Sequence, residues 1–136
     1  MSTLLPLALA AFLAAGTAAA AGDALAQHRW RDRLLVVAAP DARDPQLAEQ
    51  KRLYRAVRAG MKERDLVLVE AVGPGAEAAA LRRRLGIADG AFSAVLVGKD
   101  GGAKLRSDRP IPSERLFETV DEMPMRRDEM RRRPAG

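Results

Sequence analysis

Leu34-Leu35-Val36-Val37-Ala38-Ala39 is a continuous run of apolar residues, and Pro40 follows it directly. A continuous run, as opposed to an alternating one, is typical of a strand that is covered on both faces. Two further apolar segments lie at residues 66–72 (Leu-Val-Leu-Val-Glu-Ala-Val) and 92–97 (Phe-Ser-Ala-Val-Leu-Val). These three segments predict buried strands at the centre of an α/β protein.

Segments of helical periodicity separate these strands. Asp44-Pro45 is typical of an N-cap followed by proline at the first helical position, and the apolar spacing behind it predicts one long amphipathic helix over residues 45–63. A shorter helix is predicted over residues 76–85. A last helix is predicted from Ser113, and Pro124 either ends it or restarts it.

A tight hairpin is predicted at Gly98-Lys99-Asp100-Gly101-Gly102, because Asp-Gly-Gly supplies the positive φ angles that such a turn requires. It joins the third strand to a short fourth strand at residues 103–107. The element order is then β-α-β-α-β-β-α. Strands joined through helices imply right-handed parallel crossovers, and the hairpin adds an antiparallel strand. We therefore expect a central mixed sheet with helices on both faces.

The N-terminal segment predicts export. Residues 1–21 contain no charged side chain, residues 4–15 are almost wholly apolar, and Ala19-Ala20-Ala21 fits the small-x-small cleavage pattern. We interpret residues 1–21 as a signal peptide, residues 22–130 as one domain without a membrane span, and residues 131–136 as a basic, disordered tail. The expected location is the periplasm or the medium. Met1-Ser2-Thr3 lacks the usual Lys or Arg, which leaves an uncleaved anchor as the alternative.

The composition excludes several chemistries. The chain contains no cysteine and one histidine, so thiol–disulfide exchange, thiolate nucleophiles and thiolate metal sites are excluded. No nucleophile–base pair and no metal-ligand spacing is visible. With 23 basic against 18 acidic residues, the formal net charge is +5. We therefore expect a basic, non-catalytic interaction module without a cofactor.

Three local motifs carry a family resemblance: Trp30-Arg31-Asp32-Arg33, residues 98–104 (Gly-Lys-Asp-Gly-Gly-Ala-Lys) and residues 121–127 (Asp-Glu-Met-Pro-Met-Arg-Arg). They resemble domain-of-unknown-function family 4174, which is found in exported bacterial proteins and is related to a domain of sushi-repeat matrix proteins. The resemblance covers about residues 25–130. The family brings no established activity.

The element order also resembles the thioredoxin-fold core, with a closing hairpin similar to that of peroxiredoxin-like proteins. The resemblance therefore implies a thioredoxin-like fold. Residues 39–44, where redox cysteines would lie in working relatives, contain none, and residues 90–93 lack their cis-proline. A redox-inactive scaffold is the expectation.

A basic surface is the first candidate site. Within the predicted long helix, spacings of four, three and four residues place basic side chains on one face, and the C-terminal segment adds two arginines. These candidate anion-binding residues are Lys51, Arg55, Arg58, Lys62, Arg126 and Arg127. The expected partner is a polyanion or an envelope protein, and an ordinary solvated face is the alternative. Specific nucleic-acid binding is not expected, since interleaved aromatics are lacking.

An enzyme is the alternative from another class. It would use non-thiol chemistry in a pocket near the N-terminus of the first helix. The enzyme alternative would be favoured over a binding function if the candidate residues clustered in one concave pocket. These residues are Lys99, Asp100, Arg106, Asp41 and Arg43.

The methionines near the C-terminus offer a third hypothesis. Met123, Met125 and Met130 provide thioethers for Cu(I), although methionine more often fills gaps in a core. Trp30 is expected to pack against the sheet edge, and the lone His28 to lie on the surface.

Overall fold

A computed structural model describes residues 25–133 of the chain. The predicted signal peptide and the end of the predicted tail lie outside these residues. After a helical segment at residues 25–28, the elements are β1 (Arg33–Ala39), α1 (Pro45–Ala56), α2 (Arg58–Glu63), β2 (Leu66–Val72), α3 (Ala76–Leu85), β3 (Ser93–Val97), β4 (Ala103–Ser107), α4 (Ser113–Asp121) and α5 (Pro124–Arg132).

The four strands form one mixed sheet in the order β2-β1-β3-β4. β1 pairs with β2 in parallel and with β3 antiparallel, and β3 pairs antiparallel with β4. β1 is buried along its whole length, as its continuous apolar run predicts. The α/β fold with a mixed sheet is confirmed, and the four strands follow in the predicted order along the chain. A parallel crossover is found between β1 and β2, but the expected parallel crossover from β2 to β3 is wrong, because β3 runs antiparallel to β1. The assignment to the thioredoxin-like fold stays a prediction.

Helices cover both faces of the sheet, because successive side chains of a strand point to opposite sides. Leu35 and Val37 pack in a core with residues of α1, α2 and α4, including Leu47, Met61 and Leu116. Their neighbours Leu34 and Val36 pack on the other face with Leu25 and the α3 residues Leu81 and Leu85. Burying each such leucine contributes about 1.5–3 kcal/mol relative to leaving it exposed.

The single long helix predicted over residues 45–63 is wrong. Val57 leaves helical geometry, with φ −126° and ψ 39°, and separates α1 from α2. Beyond the break, Gly60 lies so close to α4 that an added Cβ would come within 2.7 Å of Phe117 Cζ. This close approach depends on tertiary packing, which the helical spacing of the sequence does not contain.

The predicted cap and hairpin are confirmed. Asp44 Oδ1 accepts hydrogen bonds from the backbone N–H groups of Gln46 and Leu47, at 2.8 and 3.4 Å, and so caps α1. Gly98 N donates to the carbonyl oxygen of Gly102 across the turn, and Gly101 has a φ of 85°.

Pro124 restarts the chain as α5, which continues through Arg132. The expected tail from residue 131 therefore begins inside a helix. Within residues 25–133, no helix has both the length and the apolar character needed to cross a membrane.

Candidate functional site

One end of the sheet carries a cavity of about 290 Å³. Because β1 and β3 are antiparallel, the start of β1 lies beside the end of β3, with Leu34 opposite Val97. The turn after β3 and the start of α5 complete the walls. The lining residues are Trp30, Arg33, Gly98, Lys99, Asp100, Lys104, Met123, Pro124 and Met125, and we call this the Trp30 cavity.

Exposed apolar side chains form part of its lining. Trp30 is 62% exposed and Met125 is 38% exposed, and together with Met130 they are the large apolar side chains that face solvent in the described part of the chain. Trp30, expected to pack against the sheet edge, is mostly exposed and shares the cavity lining with Lys104 of the edge strand β4. Its φ of 68° is uncommon for a residue with a side chain, and its N–H donates to the carbonyl oxygen of Lys99 at 2.6 Å. This backbone hydrogen bond joins the Trp30 segment to the turn after β3.

Two buried cations lie on the inner side of the cavity. Arg33, at the start of β1, is 0% exposed, and Lys99, two residues after β3, is 8% exposed. Arg33 Nη1 and Nη2 donate to the two carboxylate oxygens of Glu129 at 3.1 and 3.0 Å. Lys99 Nζ donates to Glu129 Oε2 at 2.9 Å and to Asp65 Oδ2 at 2.8 Å. A single glutamate of α5 thus bridges two cations that belong to the sheet.

The pKa of Glu129 reflects this arrangement. Burial alone would raise the pKa, but hydrogen bonds from Arg33 and Lys99 outweigh it and hold the pKa of Glu129 below its ordinary value. Glu129 is therefore ionised at neutral pH.

Arg126 anchors α5 in a second buried group of charges. Its guanidinium is 1% exposed; Nε donates to Asp121 Oδ1 and Nη2 to Glu63 Oε1, both at 3.1 Å. Arg64 donates to the same Asp121 from Nε and Nη2 at 3.0 Å and lies over the Phe117 ring, 3.9 Å from its centroid. Burial opposes ionisation of Asp121, but the two arginines lower its pKa.

One polar atom of Arg33 has no partner. Nη1 also donates to the carbonyl oxygen of Arg64 at 2.9 Å, but Nε is buried and lacks a hydrogen-bond acceptor among the described residues. An unsatisfied buried donor costs about 1–3 kcal/mol, so it is unusual in a native core.

The hairpin contributes the outer charges of the cavity. Lys104 Nζ donates to Asp100 Oδ2 at 2.8 Å, and the pair is half exposed. An added Cβ at Gly98 would lie 2.7 Å from Lys104 Cε. Glycine at position 98 therefore lets the lysine stem lie across the turn and face the cavity.

A family model described as a domain of unknown function, DUF4174, matches residues 24–129. The chain belongs to the DUF4174 family. The match includes every residue that lines the Trp30 cavity, and all three motifs that carried the resemblance supply lining residues.

Two curated relatives are similar to this DUF4174 chain. They are Sushi repeat-containing protein SRPX of Rattus norvegicus and of Homo sapiens, each 34% identical over 128 residues. The alignments cover 84% of this chain and 27% of each relative, so the chain spans about a quarter of their length. No solved structure matches the chain.

The predicted basic face is not one helix face in this DUF4174 domain. Lys51 and Arg55 lie on α1, whereas Arg58 and Lys62 lie on α2 after the break at Val57. Lys51 is also paired with Glu70, Nζ to Oε1 at 3.2 Å. The remaining three of these side chains are exposed, and none forms an ion pair within the described residues.

The two predicted arginines of the C-terminal segment differ from each other. Arg126 is buried in the ion-pair group described above, so its guanidinium faces the protein and not an external anion. Arg127 is exposed. Sequence position alone does not separate these neighbours, because the direction of each side chain depends on how α5 docks.

The enzyme candidates do not cluster. Lys99 and Asp100 follow β3 and lie at the end of the sheet where β1 begins, whereas Asp41 and Arg43 follow β1 and lie at the opposite end. Arg106 is exposed near the end of β4, opposite Val95. Antiparallel pairing of β1 with β3 is the reason for this separation.

The methionines also separate. Met123 packs against the core and lines the Trp30 cavity together with Met125, while Met130 lies outside the lining. In residues 25–133 there is no group of three or more His, Asp or Glu side chains placed to hold a metal ion. His28 is half-buried, and its Nδ1 lies 2.8 Å from Asp32 Oδ2.

Sequence reasoning missed the buried charges. The sequence offers no role for Asp65 or Glu129, places Arg33 only within a family motif, and presents Lys99 as a turn residue and as a candidate of the enzyme alternative. No spacing rule connects positions 33, 99 and 129. The available signal was the motifs themselves, since Arg33 ends the first motif and Lys99 lies in the second.

Proposed function

We propose that this DUF4174 chain is an exported, non-catalytic interaction module that binds a partner protein in the Trp30 cavity. The partner would offer an apolar side chain next to a carboxylate. The observation that carries this proposal is that exposed apolar side chains, Trp30 and Met125, and buried cations, Arg33 and Lys99, line the same cavity.

The apolar lining supports protein recognition. Exposed apolar groups that come together in a concave site mark interaction surfaces, and tryptophan, methionine and arginine are enriched where partners bind. Methionine is flexible and polarisable, so Met123 and Met125 would adapt to the shape of an inserted side chain.

The cations support recognition of an acidic group. A lysine ammonium has three N–H donors. Among the described residues, Lys99 uses two of them, on Asp65 and Glu129, and Lys104 uses one, on Asp100. The spare N–H groups of both ammonium groups would donate hydrogen bonds to a carboxylate of the partner.

The lining also favours binding over catalysis. None of the described residues that line the cavity is a serine, threonine, histidine or tyrosine. Asp100 is engaged by Lys104 and by the backbone N–H of Gly102, and these hydrogen bonds lower its pKa, which makes it a poor proton acceptor.

The test uses Trp30 as its own reporter, because it is the only tryptophan in the chain. N-acetyl-leucine carries the proposed apolar group and carboxylate, and N-acetyl-leucinamide is the neutral control. We expect a saturable shift of tryptophan emission with the acid at millimolar concentration, and a much weaker one with the amide.

Two methionine variants sharpen this test. Met125→Ala should weaken N-acetyl-leucine binding about threefold or more, since it removes one apolar wall. Met130→Ala is the matched control, because Met130 is on the same helix and is equally exposed at 40% but lies outside the cavity. Equal binding by both variants and the parent chain, or no emission shift at all, would overturn the proposal.

A second candidate function is polyanion binding on α1 and α2. The observation that favours it is that Arg55, Arg58 and Lys62 are exposed without an ion-pair partner in the described part of the chain. Polyphosphate binding that weakens with salt should be lost when all three become alanine. Lys51→Ala is the control, since Glu70 already neutralises that lysine.

Export is the remaining part of the proposal. It is supported by the uncharged, apolar segment over residues 1–21. Residues 1–21 fused to alkaline phosphatase, which becomes active only outside the cytoplasm, should yield activity and a product cleaved after Ala21. An inactive fusion would contradict export.

A further inference from the structure

The carboxylate of Glu129 lies next to the Trp30 cavity and binds two of the cations that line it, Arg33 and Lys99. Glu129 makes a two-pronged contact with Arg33, at 3.1 and 3.0 Å, and a third hydrogen bond with Lys99 at 2.9 Å. Paired N–H donors of an arginine match the geometry of a carboxylate, and hydrogen bonds between charged groups are the strong ones. The arrangement is that of a carboxylate-binding site whose ligand comes from the same chain.

We propose that Arg33 and Lys99 form a binding site for a partner's carboxylate, and that α5 closes this site with its own carboxylate, Glu129. An incoming carboxylate would replace Glu129 on the two cations. This inference rests on the proposed function for the identity of the partner, but the site itself is tested independently below.

The two cations belong to the rigid part of the molecule. Arg33 begins β1 and Lys99 follows β3, and these strands are paired side by side at the centre of the sheet. Each cation also has a contact outside α5, since Arg33 Nη1 donates to the carbonyl oxygen of Arg64 and Lys99 Nζ donates to Asp65. These contacts would hold the two side chains near each other when α5 moves, which lowers the ordering cost of binding an anion.

α5 is attached in a different way. Its only buried residue is Arg126, and its two methionines, Met125 and Met130, are exposed. Ion pairs of Arg126, Glu129 and Arg133 connect the helix to the rest of the domain. In these pairs Arg33 and Arg126 are buried, while their carboxylate partners stay partly exposed, Glu129 at 23%. An external carboxylate that gives Arg33 and Lys99 equivalent hydrogen bonds leaves both cations paired, so the exchange avoids the cost of an unpaired buried charge. A carboxylate ligand is therefore able to compete with Glu129.

The contact with Glu129 does not satisfy every N–H donor of Arg33. Arg33 Nε has no acceptor, although it is buried. A carboxylate that bonded to Nε–H and one Nη–H, the other common two-pronged geometry, would satisfy this donor. Because Arg33 and Lys99 line the Trp30 cavity, a partner whose apolar side chain entered beside Trp30 would bring its carboxylate to these cations.

The direct test is chemical rescue of Glu129→Ala. This substitution removes the carboxylate that Arg33 and Lys99 share, so two buried cations lose a partner. The thermal midpoint of unfolding should therefore fall by several degrees. Sodium acetate should restore the midpoint in a saturable manner, while sodium chloride at the same ionic strength should not. Glu122→Ala is the control. This substitution removes the same negative charge, but Glu122 is exposed on the adjacent segment.

The second measurement is ligand affinity. A ligand that must first displace Glu129 pays for that displacement in its apparent affinity. Glu129→Ala should therefore bind N-acetyl-leucine about tenfold more tightly than the parent chain, as read from Trp30 emission. Lys99→Met introduced into Glu129→Ala should abolish both the gain and the acetate rescue. If Glu129→Ala does not fold, the affinity measurement uses Glu129→Gln, whose neutral amide binds the two cations more weakly than the carboxylate and is displaced more easily.

The outcomes separate this inference from the proposed function. Absence of acetate rescue together with unchanged affinity would overturn the inference, while a selective effect of Met125→Ala would leave the proposed function standing. Acetate rescue without any binding of N-acetyl-leucine would support the carboxylate site and overturn the proposed partner chemistry.

Discussion

Each end of the central sheet carries a cavity, and the two cavities are of similar size but different chemistry. Where β1 ends, a cavity of about 340 Å³ is lined by small residues, prolines and the Arg82–Asp89 pair. Where β1 begins, the Trp30 cavity of about 290 Å³ combines exposed Trp30 and Met125 with buried Arg33 and Lys99.

The charges at the two ends have different roles. Arg82 donates from Nε to Asp89, which is 89% exposed, and from Nη2 to the carbonyl oxygen of Gly73, so its charge ties a loop to β2. Arg33 and Lys99 instead hold a partly buried glutamate of another helix. Both ends contain a buried cation, since Arg82 is 7% exposed and Lys99 is 8% exposed. The Trp30 end differs in its exposed apolar lining and in the partly buried carboxylate that its cations hold, and the proposed binding rests on these two features.

Arg33→Met should produce the largest effect. Removing one member of a buried ion pair costs about 3 kcal/mol or more, because the groups left behind stay desolvated. Arg82→Met at the other end should cost about 1 kcal/mol, since its carboxylate partner is already solvated. Urea unfolding of both variants measures the loss in the free energy of unfolding. Equal losses would contradict the expected difference between the two ends of the sheet.

Acid should weaken the ion-pair groups around Glu129 and Asp121. The pKa values of Glu129 and Asp121 are lowered in the folded state, so their stabilisation is complete above the ordinary glutamate pKa of 4.5 and is lost as the pH falls through the lower folded values. Arg33, Lys99 and Asp65 surround Glu129, and Arg64 and Arg126 surround Asp121.

The measurement is the free energy of unfolding between pH 6 and pH 2.5, with Trp30 emission as a local probe. Glu129→Gln and Asp121→Asn should flatten the dependence. A profile that these two variants leave unchanged would show that other carboxylates control acid stability.

Asp44→Ala should lower the free energy of unfolding by a smaller amount. The affected contacts lie at the end of the sheet where β1 ends, opposite the Trp30 cavity. Loss of an N-cap costs about 1 kcal/mol. Since Asp44 bonds only to the start of α1, the affinity for N-acetyl-leucine should not change. A change in that affinity would mean that the two ends are coupled through the sheet.

The smallest effect is expected for Asp41→Ala combined with Arg43→Ala. Both residues are exposed in the loop after β1, and substitutions at such positions usually alter stability by less than about 0.5 kcal/mol. Neither stability nor N-acetyl-leucine binding should change. Lost binding would restore the hypothesis of a site near the first helix.

Much of the fold could be predicted from local pattern. The apolar run at residues 34–39, the cap at Asp44 and the turn at Gly101 each express a preference of a few neighbouring residues, and each is confirmed. The break at Val57 could not be predicted, because it accompanies the close approach of Gly60 to Phe117, which is distant in the sequence.

The candidate site was predictable only as a set of separate motifs. Composition and periodicity are properties of the chain alone, and they suffice to predict a cysteine-free, basic α/β domain without thiol chemistry. That Arg126 is buried while Arg127 is exposed, and that Lys99 contacts Glu129, becomes visible only in the folded molecule. Burial and charge pairing depend on how strands and helices pack, and this brings together residues that are 30 or more positions apart in the chain.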